Sequence, residues 1–246
     1  MPLNVNGVAV QNVNVNGQPV QKVNVNGQEV WSAFESILDT MVNGAVGELQ
    51  ADHVMDSGHR WIEQNDPPNE AEIIVFGGGP SGRSLGKIMP SGQPAPEIAG
   101  STELPASLPD KITISIRMEY QYDTISIGSV LLLDSLGGSI CSLFWAGLDV
   151  SADPSTFTLF VGGAQVWQVN TSEHGLDYYI IMELTIDIVN LTVTVKTTLN
   201  GAESTSPAFP LSSADILNIG YTASNGESAG LGGGVGISRF SVDPAT

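Results

Sequence analysis

"YYIIMELTIDIVNLTVTVKTTLNG", residues 178–201, is the stretch on which the fold turns. It is built from aromatic, aliphatic and β-branched residues, which fit a pleated, half-buried surface. Residues 177–187 ("DYYIIMELTID") and 191–201 ("LTVTVKTTLNG") therefore read as two strands, with Asp187 ending the first and capping the turn. Glu183 and Asp187, at i and i+4, then share one face of their strand.

Outward from this pair the same composition recurs in "EIIVF" (72–76), "KITISIRMEYQY" (111–122), "SVLLLDS" (129–135) and "SICSLFWAG" (139–147). It continues in "FTLFVGG" (157–163), "AQVWQV" (164–169), "DILNIGYTA" (215–223) and "GVGISRFSVD" (234–243). No helical pattern alternates with these runs, and many strands without crossover helices imply an antiparallel sandwich or jelly roll. Between them, "PSGQPAPEIAGSTELPASLPD" (90–110) reads as a long Pro- and Ser-rich loop.

The N-terminus is organised differently. Residues 3–32, cut every ten, give three near-copies: "LNVNGVAVQN", "VNVNGQPVQK" and "VNVNGQEVWS". Asn6-Gly7, Asn16-Gly17 and Asn26-Gly27 suit type I′ turns, whose two central residues both need positive φ. The resulting ribbon, residues 1–32, has only one thin apolar face and is marginal alone in water. Val5, Val13, Val15, Val23, Val25 and Trp31 are accordingly assigned to an assembly surface. In the connector, residues 33–44, Ser32 and Glu35 have capping-box spacing, and Phe34, Ile37, Leu38 and Met41 fall at i, i+3, i+4 and i+7. This pattern predicts a short helix over about residues 33–42, with a strand entering the next domain as its competitor. Residues 45–246 form the β domain.

The chain has 26 acidic residues against 8 Lys plus Arg, a formal charge of −18 and a pI near 4.1. Such a balance excludes nucleic acid, which needs a basic footprint, and an anionic membrane surface as partners. No stretch of about 18 uncharged apolar residues exists to span a bilayer. The opening "MPLNVNGVAVQNVNV" has neither a basic n-region nor a continuous apolar h-region, so it does not read as a secretory signal. Cys141, the single cysteine, sits in an apolar run and reads as a buried small hydrophobe.

The succession "GHRWIEQ", "IVFGGGPSGRSL", "ITISIRM", "FTLFVGG", residues 178–201 and "LNIGYTA…GVGISRFSV" resembles the concanavalin A-like, laminin G-like jelly-roll superfamily over about residues 45–246. The Val-Asn-Gly repeats of residues 3–32 resemble short segments that open tail and other virion proteins of tailed bacteriophages. Together the resemblances imply an all-β chain: a concanavalin A-like antiparallel jelly-roll sandwich preceded by a hairpin-repeat arm and a short helix. They further imply a structural virion protein, assembled in the host cytoplasm, in a tail tip, fibre or other surface appendage. Its partners would be other virion proteins, further copies of itself, with a trimer as the preferred guess, and a host-surface glycan. Capsid decoration, a free glycan-binding lectin and a glycoside hydrolase are the alternatives.

Hydrolases of this superfamily carry Glu-x-Asp-x-x-Glu on one strand. Here Thr185 and Asn190 stand where the glutamates belong, so the expectation is a binder with no catalytic residues. Gly77-x-Gly79-x-x-Gly82 mimics a phosphate loop, but that motif needs a helix to open at once, whereas "RSLGKIMPSG" reads as strand. His53, His59 and His174 lack metal-ligand spacing and read as surface or turn residues. No cofactor is expected apart from calcium, which several laminin G-like domains bind through loop carboxylates. Asp149 and Asp153 in "GLDVSADPST" and Asp66, with Asn69 and Glu70, in "EQNDPPNE" would suit such a hard cation. Trp61, Trp145 and Trp167 could stack on a sugar but sit in apolar strands, which favours core packing.

Overall fold

The structure, a computed structural model, describes residues 34–63, 71–75, 81–89, 97–105, 108–120, 126–147, 155–171, 179–199, 201–213, 215–225 and 233–245, and the strands of the N-terminal repeat. In that repeat β1 (Asn4–Val5) pairs β2 (Val8–Ala9), β3 (Val13–Val15) pairs β4 (Gln18–Val20), and β5 (Lys22–Val25) pairs β6 (Gln28–Ser32). Val5 is opposite Val8, Val15 opposite Gln18 and Val25 opposite Gln28, which leaves the two-residue connections that Asn-Gly turns require. The turns themselves, and the side chains of Val5, Val13, Val15, Val23, Val25 and Trp31, lie outside the described residues.

Two antiparallel sheets follow. The larger contains β7 (Ile37–Asp39), β9 (Glu72–Ile74), β10 (Ser84–Met89), β12 (Lys111–Tyr120), β17 (Tyr179–Asp187), β18 (Thr192–Leu199), β19 (Ala202–Thr205), β20 (Phe209–Pro210) and β22 (Gly233–Pro244). Its order is β19-β18-β17-β12-β22-β10-β9, with β20 also on β18 and β7 on β22. The smaller contains β8 (Ile62–Glu63), β11 (Ile98–Glu103), β13 (Ser126–Leu133), β14 (Ser139–Gly147), β15 (Ser155–Val161), β16 (Ala164–Thr171) and β21 (Asn218–Asn225). Its order is β16-β15-β14-β13-β21-β11-β8. Alternate residues point inward: Ile112, Ile114 and Ile116 of β12 and Ile180, Met182, Leu184 and Ile186 of β17 are buried, as are Leu143, Trp145, Phe157, Leu159 and Tyr221 of the facing sheet.

Two expectations of secondary structure are corrected. There is no helix among the described residues, and Ile37–Asp39 is a strand, Ile37 lying opposite Val242 and Asp39 opposite Phe240. Apolar residues at 37 and 41 satisfy a strand period as well as a helical one, and Asp39 between them decides the matter. Its buried carboxylate accepts bonds from Trp61 Nε1 (2.9 Å), His53 Nε2 (3.0 Å) and the Met41 amide (2.9 Å), and the last is an Asx turn that the interior of a helix over residues 33–42 would not make. The sandwich thus begins before residue 45. The second correction concerns residues 90–110, where β11 pairs with β21 and β8. Its sequence, "IAGSTE", hides a strand because close packing demands small residues: a Cβ on Gly100 would collide with the Gln50 amide and come within 2.9 Å of the Tyr221 ring.

His53 is likewise no surface residue, being fully buried with its Nε2 on Asp39. Burial pulls its pKa down, but the bond to Asp39 and the charges of Asp39, Glu48 and Asp56 outweigh this and hold it above 6.5. Because the folded value is the higher one, the stability His53 contributes is complete below pH 6.5 and is lost as pH rises through the raised pKa. The unfolding free energy of the wild type minus that of His53→Gln should therefore fall as pH is raised above 6.5, as read by urea titration. A difference that stays flat or grows over that range would contradict the contact. His59, half-buried in a turn with Nδ1 3.0 Å from Ser57 Oγ, fits its expected place, and His174 lies outside the described residues.

Candidate functional site

The alternation that buries isoleucines on β12 and β17 turns their other residues outward, and strand order then assembles a polar face. Register builds three rows across it. Arg239, Arg117, Ile181, Thr198 and Glu203 form the first, Ser241, Ser115, Glu183 and Lys196 the second, and Asp243, Thr113 and Thr185 the third. A groove of about 460 Å³ runs over these rows, a volume within the usual range of small-ligand sites.

Charges in the groove are partly paired. Lys196 Nζ lies 2.6 Å from Glu203 Oε1 and 3.9 Å from Glu183 Oε2, and the Glu203 bond chiefly holds the lysine above its ordinary pKa. Arg117 donates from Nε to Glu119 Oε1 at 3.2 Å, and its guanidinium carbon sits 3.9 Å from the centroid of the Tyr179 ring. The hydroxyls of Thr113 and Thr185 meet at 3.1 Å. Such a face offers hydroxyl, guanidinium and carboxylate groups in fixed rows, the donor and acceptor set that a polyhydroxylated ligand requires.

Asp187 closes β17 as expected: the Asn190 amide and Nδ2 donate to its carboxylate at 2.8 and 2.9 Å. The Asn190 side chain and amide, with Lys111 at 3.6 Å, hold the Asp187 pKa below its ordinary value. Of the two positions where hydrolase glutamates belong, Thr185 faces Thr113 and Asn190 belongs to this cap. Trp61 and Trp145 are buried, and Trp167 packs half-buried against the core. Cys141 is buried and burial pushes its thiol up to about 12. Asp66, Asp149 and Asp153, the expected calcium ligands, lie outside the described residues.

Arg117, Lys196 and Arg239 line the groove and are not among the candidate residues read from the sequence. The signal for each was present, since "ITISIRM" and "TVTVK" alternate as Glu183 and Asp187 do. What was missing was the knowledge that β12 lies between β17 and β22.

Two stacked antiparallel sheets with a polar groove on an outer face define an antiparallel β-sandwich. No protein-family model matches the chain, and no curated protein matches its sequence. Among solved structures it is similar to the CBM2 module of the evolved Dit of Lactobacillus casei BL23 phage J-1, at 12% identity and a TM-score of 0.51, covering 84% of this chain and 88% of that one. Also similar are a legume lectin-like domain from Entamoeba histolytica (12% identity, 72% and 88% covered, TM-score 0.49) and a Lotus tetragonolobus seed lectin (11% identity, 86% and 98% covered, TM-score 0.48). At these identities the likeness is one of fold, and of these three it rests on the phage module.

Proposed function

We propose that this chain is a structural virion protein of a tailed phage, in a tail tip, fibre or other surface appendage, whose sandwich binds a host-surface glycan. The observation that carries the reading is the polar groove over β22, β12, β17 and β18 on a lectin-like sandwich. Two further observations support it: the similar module belongs to a phage Dit, and the N-terminal repeat pairs as three short hairpins. Isolated hairpins gain stability by adding strands, so the repeat serves as the arm that joins copies, three by preference, or neighbouring virion proteins. The sandwich acts as a binder and not as a hydrolase, in keeping with Thr185 and Asn190 at the glutamate positions.

Ser115 lies mid-groove on the solvent side of β12, so Ser115→Trp should fill the groove while leaving the core intact. Glycan-array binding by the full chain should fall by about tenfold or more in this variant, equivalent to about 1.4 kcal/mol, with unchanged thermal unfolding. Retained binding would place the glycan site elsewhere. A mass-spectrometric inventory of purified virions tests the other half: absence of the chain would favour a free lectin, and recovery with capsids lacking tails would favour capsid decoration.

A further inference from the structure

We infer that the arginine end of the groove, Arg117 with Arg239, is a subsite for a negatively charged group of the ligand, so that the glycan is an anionic polysaccharide carrying carboxylates or phosphates. The inference rests on the groove being a glycan site and adds the charge class of what it takes.

In a chain with a formal charge of −18 and only 8 basic residues, three of the 8 line this one groove. Two of them, Arg117 and Arg239, are directly opposed on neighbouring antiparallel strands. Their Cα atoms are thus about 4.5–5.5 Å apart, and like charges so placed destabilise a sheet unless something lies between them. Lys196 has Glu183 and Glu203 beside it, whereas Arg239 is exposed and has no carboxylate partner among the described residues. Arg117 is held in place by Glu119 and the Tyr179 ring.

A register shift produces the opposition. Arg117 faces Arg239, but Met118 faces Ile237, so β22 carries one extra residue, Ser238, at this point. Bulges of this kind re-aim side chains next to binding sites. Two guanidinium forks on one side of a groove suit the planar oxygens of a carboxylate or the oxygens of a phosphate, which each can bind in pairs. Ser115, in the next row, is placed to meet a sugar hydroxyl.

The test uses the full chain at about 0.15 M salt, where the Debye length is about 8 Å and repulsion from the remaining acidic surface is screened. An array of neutral, uronate-bearing and phosphate-bearing glycans comes first, followed by titration calorimetry with polygalacturonate, poly(glycerol phosphate) and a neutral glucan. An anionic polymer should bind about tenfold or more tightly than the neutral one, and Arg239→Gln should remove that advantage without moving the thermal midpoint. Arg239→Lys should retain part of it, because charge survives but the fork does not. The two polyanions distinguish carboxylate from phosphate. Neutral glycans bound equally well, or anionic binding indifferent to Arg239→Gln, would overturn the subsite and leave the glycan reading standing. An array with no binder at all would overturn both.

Discussion

Asp39→Ala should destabilise the chain by about 3–5 kcal/mol, the usual cost of removing one member of a buried, hydrogen-bonded charged pair. The carboxylate is wholly buried and holds three donors from three parts of the chain: the Met41 amide, His53 Nε2 and Trp61 Nε1. Without it, His53 and Trp61 are left in the core with donors that neither water nor protein can satisfy. The Trp61 ring packs edge-on to Tyr221 at 5.1 Å and against Phe240 at 4.9 Å, so a disturbed indole reaches both sheets. For a domain of this size the thermal midpoint should drop by on the order of 10 °C. Asp39→Asn should cost less, because it keeps an acceptor for Trp61. A midpoint within about 2 °C of wild type would show that the cluster does not anchor the fold.

Deleting residues 1–31 should leave a folded sandwich, whereas deleting residues 1–44 should not. The second deletion removes β7 from its pairing with β22, and with it Ile37 and Met41, both fully buried. Each such side chain contributes about 1.5–3 kcal/mol through burial, and Asp39 goes with them. It also strips the Val42 and Gly44 carbonyls from Arg83, which donates to both. Together these losses approach the whole stability of a typical domain, about 5–15 kcal/mol. Circular dichroism and urea unfolding of both chains provide the check, and a cooperative transition for residues 45–246 alone would show β7 to be dispensable.

Both predictions turn on what the sequence made visible. Long strands announced themselves because their inward residues are large and branched, as in "TISIRM" or "LTVTVK", and their ends were read to within a few residues. β7 and β11 did not: the first is three residues long with a carboxylate at one of its two buried positions, and the second has Ala, Gly, Ser and Thr along its middle. Burial of Asp39 depends on partners 14 and 22 residues away, which no local pattern displays. The groove was half legible. Its polar alternation could be read strand by strand, but the meeting of Arg117 with Arg239 joins positions far apart in the chain and depends on a bulge.

The position of β22 also governs how the protein is made. This strand, residues 233–244, is synthesised after every other strand of its sheet, yet it lies inside that sheet between β12 and β10 and carries β7 as well. Until those residues have been translated, β12 has one unpaired side and Leu85, Ile114 and Ile116 lack their sheet neighbours. At about 5–20 residues per second, a ribosome needs roughly 6–25 s to travel from β12 to β22. The nascent chain must wait through that interval with an open edge, in a form that invites pairing with other nascent chains. Its heavy negative charge keeps such chains apart in the meantime, so the acidity that suits the finished surface also protects the polypeptide before it has one.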